Sequence, residues 1–329
     1  MATPVQVCSP GSAQPTDLGR IVRLWGMDPS SLPPAASPSP SEDLVPFLTC
    51  VFEEAASFVD KVPTAPCSNG SAWIPEKTRT FDNSDAPVDT FKRIVPASDL
   101  RAIADGNVVE LRPETWFVRR SVHRDDQKPG TASWSEWVRH LLDDGANSER
   151  AFTPSTVVHT RRIKTWACQD LKVVQGDHTW TNVTMAWEES VQKLPWPLKK
   201  RVFPVLRVTA SDENHKSRAE FLVIQIALRD EGAADRHMAV VGAYTSIERL
   251  RHTMFGVEWT MGTVSDYRGR LPVWLQKCCA PRQLAKGVDV FLKWVAAQRT
   301  MMTASAGGDE GDLLDREGRR VKKVATFRI

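Results

Sequence analysis

The chain has 329 residues, which is long enough to bury a large core or to enclose a cavity. Its 43 basic and 40 acidic side chains give a net charge of +3, a balance that argues against the basic surface of a nucleic-acid-binding protein. Hydrophobic residues make up 41% and charged residues 25%, as in ordinary globular proteins. Trp is the unusual residue, with twelve copies against two Tyr. Core packing explains any single Trp, but twelve together also favour the aromatic walls of a pocket.

The six cysteines form no CxxC pair and no zinc-binding spacing. No charged segment followed by an apolar run opens the chain, so we predict no secretory signal. No stretch approaches the roughly 18 uninterrupted apolar residues of a membrane span. We therefore expect a reduced, cytoplasmic protein that holds no metal and no cofactor. The cysteines are Cys8, Cys50, Cys67, Cys168, Cys278 and Cys279.

The first part of the chain is rich in Pro and Ser. Residues 1–41 are predicted to form a disordered leader and linker, interrupted by a short helix over Leu18–Trp25. A longer helix is predicted to begin at Ser41 and end near Val59, because its apolar residues keep the period of about 3.6. Those residues are Leu44, Phe47, Leu48, Val51 and Ala55.

The next segment shows fewer regular patterns. Pro63–Ser84 is predicted to be a loop, and Val88–Ile103 is predicted to be a helix that Pro96 interrupts. We interpret residues 42–108 as a helical extension that packs on the main domain and has no core of its own.

The main domain is predicted over residues 109–302, followed by a flexible charged tail over residues 303–329. Thr115–His123 is the first clear strand. Ser133 and Glu136 form a capping box for a helix that ends near Asp143. The strands that follow have no helix between them, which favours antiparallel pairing over βαβ units. They are Thr156–Trp166, Val173–Gln175, Thr179–Glu189, Val202–Ser211 and Glu220–Leu228.

The stretch from His237 to Arg299 organises the domain. Met238–Arg249 and Phe255–Ser265 are predicted to be two antiparallel strands, and a helix is predicted from Leu271 to about Thr300. This helix carries a wide apolar stripe that must be buried, and the preceding sheet is the nearest surface. The stripe consists of Leu284, Val288, Phe291, Leu292 and Val295.

Seven short segments carry a family resemblance: ETWFVRRSVH at 114–123, GTASW at 130–134, KRVFPVL at 200–206, GAYTSIER at 242–249, VEWTM at 257–261, LPVWLQ at 271–276 and FLKW at 291–294. They resemble a START-like (StAR-related lipid-transfer) family of unknown function that is common in filamentous fungi, and the match runs from about Leu18 to Arg299. The resemblance implies an α+β helix-grip fold. In that fold a curved antiparallel β-sheet wraps around a long C-terminal α-helix, with a hydrophobic cavity between them and, here, an N-terminal helical extension.

The sequence holds no dinucleotide, P-loop, serine-hydrolase or zinc-protease motif, and its seven histidines show no ligand spacing. Neighbouring residues on a strand point to opposite faces. Glu188 and Glu189 therefore cannot converge on one substrate, and only one of Arg119 and Arg120 can enter a cavity. A hydrolase or redox enzyme normally needs a nucleophile, a metal or a cofactor site, whereas a binding protein needs none of these. A cyclase needs only a shaped wall and one or two hydrogen-bond donors.

Two functions remain open, and a scaffold without a ligand is a weaker third. In the first, the chain binds a hydrophobic small molecule such as a lipid, terpenoid or polyketide, as START-like lipid carriers do. In the second, it is a cofactor-free cyclase for an intramolecular, pericyclic (Diels–Alder-type) ring closure in fungal secondary metabolism, since relatives of the fold include polyketide cyclases. We expect a monomer that binds no nucleic acid and makes at most transient membrane contact.

The candidate site residues are those that we expect to line the hydrophobic cavity. Tyr244 and Trp259 are the candidate catalytic residues, because a phenol O–H or indole N–H can polarise a substrate carbonyl. Core packing is the competing explanation for the apolar candidates, and an ion pair is the competing explanation for the charged ones. The candidate ligand-binding residues are Trp116, Arg120, Trp187, Glu248, Met261, Phe291 and Trp294.

Overall fold

The structure, a computed structural model, describes residues 19–35, 40–64, 71–104, 111–153, 155–168, 170–194, 196, 198–212, 219–268 and 273–307. The helices in these ranges are α1 (Pro40–Asp60), α2 (Ala97–Ile103), α3 (Trp134–Trp137), α4 (Gly145–Phe152), α5 (Ala233–His237) and α6 (Val273–Gly307). A 3₁₀ turn spans Pro29–Ser31, and a π-helical turn, Val138–Asp143, continues α3. The predicted leader 1–17 and most of the predicted tail lie outside the described residues.

Eleven strands of the described chain form one sheet. They are β1 (Ile74–Arg79), β2 (Val88–Val95), β3 (Glu114–His123), β4 (Val157–Thr165), β5 (Val173–Gln175), β6 (His178–Gln192), β7 (Arg201–Asp212), β8 (Glu220–Ala227), β9 (Val240–Val241), β10 (Ala243–Thr253) and β11 (Gly256–Asp266). The order is β1-β2-β3-β11-β10-β8-β7-β6-β4, antiparallel throughout, with β5 beside β6 and β9 parallel to β7. The last strand therefore lies near the middle of the sheet, where α6 follows it.

Helix α1 packs along one face of the sheet, called the α1 face below. Its buried side chains join apolar residues of β6, β7, β8 and β10 in one core cluster. Glu54 of the same helix accepts hydrogen bonds of 2.7–3.1 Å from the backbone N–H groups of Arg20, Ile21 and Val22. This carboxylate therefore fastens the preceding segment to the helix. The buried stripe of α1 consists of Leu44, Leu48, Val51, Phe52, Ala55 and Val59.

Helix α6 covers the opposite face, called the α6 face below. It shares a core cluster with Phe221 of β8, Leu250 of β10 and Trp259 of β11. The predicted apolar stripe is confirmed, although Leu284 is only half-buried. All twelve residues of β7 are buried, as expected for a strand covered on both faces. The predicted fold, an antiparallel sheet packed against a long C-terminal helix, is confirmed.

The region before β3 differs from the prediction. Residues 88–95 form β2, not a helix, and only Ala97–Ile103 after Pro96 is helical. The predicted loop Pro63–Ser84 contains β1, and no helix is present from Gly19 to Trp25. Because β2 pairs with both β1 and β3, cross-strand contacts override the local pattern that favoured a helix. The range 42–108 thus contributes two strands to the sheet as well as α1 and α2.

No helix in the described ranges is both long enough and apolar enough to cross a lipid bilayer.

Candidate functional site

The α6 face has a tightly packed half near the β10–β11 turn. Phe291 of α6 is fully buried there and stacks on Trp137, with ring centroids 5.0 Å apart. Its ring also meets Trp259 at 5.3 Å and Phe152 at 5.6 Å. Such offset and edge-on aromatic contacts add to the hydrophobic stabilisation of a core. This half of the face therefore holds the helix on the sheet and leaves little space for a ligand.

The other half of the α6 face, called the open half below, is less completely covered by the described residues. The register places Tyr244 opposite Ser265, and Glu248 opposite Met261, on the central strands β10 and β11. These four side chains are only half-buried, as is Gln225 of β8, although the strands that carry them lie in the middle of the sheet. Side chains of the described residues thus leave a space over this part of the sheet. The side chains of α6 residues 273–279 lie outside the description.

A buried ion pair stands at the border between the two halves. The Arg119 Nη2 group lies 3.3 Å from Glu248 Oε1, and the guanidinium carbon lies 3.7 Å from the centre of the Trp259 ring. The Trp259 indole N–H donates to the same Glu248 oxygen at 2.6 Å. Burial lowers the pKa of Arg119 to about 10, and the Glu248 carboxylate opposes that shift. The geometry fixes all three side chains relative to one another.

Only some of the N–H groups of Arg119 have a hydrogen-bond partner in this arrangement. It is 3% exposed, and its Nη2 group also donates to Met261 Sδ at 3.4 Å. Its Nε and Nη1 groups have no hydrogen-bond partner in the described part of the chain. A buried donor without a partner costs roughly 1–3 kcal/mol, and more when it is charged. Both N–H groups have almost no accessible surface, so an oxygen acceptor could reach them only after neighbouring side chains move.

Tyr244 is a second polar group in the open half, at the start of β10. Burial raises the pKa of Tyr244 well above its usual range, and the carboxylate of Glu149 on α4 adds to the shift. Burial also raises the pKa of Glu149, against the opposing charge of Arg207. Both Tyr244 and Glu149 nevertheless keep some accessible surface. Both groups are therefore only partly covered by the surrounding protein.

Three of the predicted ligand-binding residues lie on the α1 face, away from this space. The Trp116 ring packs on Phe58 of α1 at 4.7 Å, and Arg120 forms an ion pair with Glu258. Trp187 packs against the α1 core cluster. Alternation along the strands was predicted correctly, but the sequence did not reveal which set of side chains faces α6. The structure therefore places Arg119, and not Arg120, towards the helix.

The other predicted residues all lie on the α6 side, but not in one place. Tyr244, Glu248 and Met261 line the open half, Trp259 stands at its border, and Phe291 belongs to the packed half. Trp294 is half-buried against the packed half, with its ring 4.8 Å from that of His140. The sequence analysis did not single out Glu149, Arg207 or Gln225. No sequence pattern pointed to them, because Arg207 and Gln225 join the site through the register of β7 and β8 with their neighbours, and Glu149 lies on α4.

A family model described as "Protein of unknown function (DUF3074)" matches residues 116–295. The chain belongs to this DUF3074 family. None of the curated proteins matches the sequence. Because the matched range runs from β3 to α6, it includes both the open and the packed half of the α6 face in this DUF3074 protein.

Three solved human structures show partial similarity to this DUF3074 protein. The crystal structure of human STARD10 is 16% identical, with 77% of this chain and 84% of that chain covered and a TM-score of 0.48. Human StAR-related lipid transfer protein 5 is 12% identical, with 78% and 98% covered and a TM-score of 0.42. The lipid transfer and protein localization domain of human StarD13 (DLC2) is 14% identical, with 67% and 88% covered and a TM-score of 0.39.

Proposed function

We propose that this DUF3074 protein binds a hydrophobic small molecule with one polar group, such as a lipid, terpenoid or polyketide, between the sheet and α6. The observation that carries the proposal is the open half of the α6 face, where central-strand side chains stay accessible. Ligand sites are concave, mostly preformed, and combine apolar walls with a few placed polar groups. Met261 supplies apolar surface here, and Arg119 supplies unpaired N–H donors.

The polar end of the ligand is proposed to be an oxygen acceptor, as in a carboxylate or a carbonyl. Arg119 can offer Nε–H and Nη1–H to it, while Glu248 holds the other side of the guanidinium. A buried guanidinium with one carboxylate partner gains a full set of hydrogen bonds when such a ligand binds. Charge-assisted hydrogen bonds of this kind are stronger than neutral ones, so they orient the ligand in the space.

A ring-closing cyclase of secondary metabolism is the second candidate function. The Trp259 N–H is already donated to Glu248, so this predicted catalytic donor is occupied. Tyr244 and Glu149 favour the candidate instead, because burial shifts both groups towards their protonated, hydrogen-bond-donating forms. Two O–H donors beside a bound carbonyl would withdraw electron density from it. Mass spectrometry of the recovered ligand separates the two functions, since a carrier returns it unchanged and a cyclase returns a cyclised isomer.

The first test fills the open half. Met261→Trp places an indole in the space, so we expect the affinity for an NBD-labelled fatty acid to fall at least about tenfold, a loss of roughly 1.4 kcal/mol of binding free energy. Fluorescence titration measures the affinity, and thermal unfolding shows that the variant is folded. Val174→Trp is the matched control, because Val174 is 67% exposed on β5. Wild-type affinity in the Met261 variant, or no binding by the wild type, contradicts the proposal.

A carrier exchanges its ligand at a lipid surface, and the β6–β7 connection offers a contact for an anionic bilayer. Trp196 is 92% exposed there, and Lys193, Lys199 and Lys200 are exposed beside it. Trp partitions to the membrane interface, and lysines are attracted to anionic headgroups. Tyr244, at the start of β10, lies at the same end of the sheet as this connection. We propose that a bilayer docks at this end, in a protein that otherwise stays in the cytoplasm.

The docking surface is tested with vesicles. Trp196→Ala should weaken binding to vesicles of phosphatidylcholine and phosphatidylserine several-fold and slow the transfer of the fluorescent fatty acid between them, without changing its affinity. Co-sedimentation and energy transfer measure the two effects. Phe255→Ala is the control, since Phe255 is 77% exposed at the opposite end of the sheet. Equal losses in both variants, or binding that does not depend on phosphatidylserine, would refute docking at the β6–β7 connection.

A further inference from the structure

Three potential metal ligands from distant parts of the sequence meet at one end of the sheet. They are His178 at the start of β6, Asp212 at the end of β7 and Glu220 at the start of β8. His178 Nδ1 lies 3.0 Å from Asp212 Oδ2 and 3.0 Å from Glu220 Oε1. All three donor atoms fall within 4.8 Å of one another. This group lies on the α1 side of the sheet, apart from the proposed ligand site.

The two carboxylates in this group are an unusual pair. Asp212 and Glu220 lie directly opposite each other in the β7–β8 register, and both are buried, with side chains 8% and 5% exposed. Like charges at directly opposed positions destabilise a sheet. Burial also removes the water that would screen the two carboxylates from each other. Positive charge at this point therefore stabilises the pair.

The nearby arginines are engaged with other carboxylates. Arg251 lies opposite Glu220 in the β8–β10 register, but Arg249 and Arg251 form their ion pairs with Asp60 at 2.6 Å and with Glu258 at 2.7 Å. The His178 imidazole contacts both Asp212 and Glu220.

We propose that His178, Asp212 and Glu220 bind one divalent transition-metal cation such as Zn²⁺. Ligand atoms about 2.1 Å from a metal and about 90–110° apart are separated by roughly 3.0–3.4 Å, which matches the two nitrogen–oxygen distances of 3.0 Å. The cation would lie between the imidazole ring and the two carboxylates. It supplies two positive charges against two carboxylates, with a neutral histidine as the third ligand.

The surroundings of His178 support this role. Its ring stacks on the fully buried Trp180 ring, with centroids 5.2 Å apart and planes 17° apart, which fixes the direction of Nδ1. Its side chain is 39% exposed, so a cation and its water ligands can reach the group. Three protein ligands and an open position are the pattern of reactive zinc sites. The sequence analysis did not find this group, because its three residues lie on three different strands and match no metal-binding motif.

The test uses chelator-treated full-length protein titrated with Zn²⁺ by calorimetry. We expect one ion per chain and a rise in the unfolding temperature with Zn²⁺ concentration, because a cation that binds only the folded state stabilises it. His178→Ala and Asp212→Asn should each weaken binding at least about tenfold. His252→Ala is the matched control, because His252 forms a similar histidine–carboxylate pair with Asp125, at 3.1 Å, that lacks a second carboxylate.

Mn²⁺ binding, followed by electron paramagnetic resonance, repeats the measurement with an ion that avoids thiols. Circular dichroism shows whether each variant is folded, and the isosteric Asp212→Asn change keeps the proposal testable if His178→Ala unfolds. No binding of either ion by the wild type overturns the proposal. Unchanged binding by folded Asp212→Asn, or an equal loss in His252→Ala, also overturns it. In those cases His178 serves only as a hydrogen-bond partner of the two carboxylates.

Discussion

Replacing Phe291 by Ala is expected to lower the free energy of unfolding by about 3–5 kcal/mol. Phe291 is fully buried, and its ring contacts the rings of Trp137, Trp259 and Phe152 at 5.0–5.6 Å. The loss combines the removed apolar surface with the cavity left behind, because rigid indole rings cannot collapse into the vacated space. Urea unfolding followed by Trp fluorescence measures the change, since two of the neighbouring rings are indoles.

Phe255→Ala is the control for this experiment. Phe255 is 77% exposed at the β10–β11 turn, so its removal should change the free energy of unfolding by no more than about 0.5 kcal/mol. A loss below about 1 kcal/mol for Phe291→Ala would mean that Phe291 lines a ligand space that tolerates an empty volume. In that case ligand affinity, not stability, should fall, and the division of the α6 face into a packed and an open half would be incorrect.

Replacing Glu248 by Gln is expected to cost about 3–5 kcal/mol, because it leaves the buried Arg119 guanidinium without a carboxylate. Arg119 is 3% exposed, and its Nη2 group lies 3.3 Å from the Glu248 oxygen. Gln keeps an oxygen that can accept the Trp259 indole N–H, so the substitution removes the charge and leaves that hydrogen bond in place. Chemical unfolding at neutral pH measures the loss.

A double-mutant cycle identifies the cause. If Arg119→Met is added to Glu248→Gln, the uncompensated charge disappears, and the double variant should be more stable than the sum of the single losses predicts, by roughly 0.5–3 kcal/mol. Glu231→Gln is the control, because Glu231 forms a 3.6 Å ion pair with Arg268 while its side chain is 82% exposed. Such surface pairs contribute between about 0 and 1 kcal/mol. Additive losses in the cycle would show that Arg119 does not depend on Glu248.

The parts of the fold that follow from local periodicity were predictable. The α6 stripe was predicted residue by residue, because a helix buries positions at a period of about 3.6 whatever it packs against. The capping box of Ser133 and Glu136 is present, since it needs only residues three apart. β3 and the strands from β4 to β8 were also found, because their alternation and flanking turns are local signals.

The parts that depend on distant contacts were not predictable. Alternation along β3 divides its residues into two sets, but only the positions of α1 and α6 decide that Arg119 faces α6 and Trp116 faces α1. β2 is a strand because β1 and β3 lie on either side of it. Glu149 enters the site from α4, a helix that no sequence pattern indicated. These features depend on contacts between elements that are far apart in the chain, and a single sequence does not reveal those contacts.

Because α1 covers one face of the sheet, it limits where the chain can be truncated. The DUF3074 match begins at Trp116, whereas α1, β1 and β2 all precede that residue. A chain cut to residues 116–295 would expose Leu206, Ile224 and Ile247, which are at most 1% exposed beneath α1. It would also leave β3 as a bare sheet edge, and both features promote aggregation. The folding unit is therefore longer than the range that the family model matches, and it includes α1.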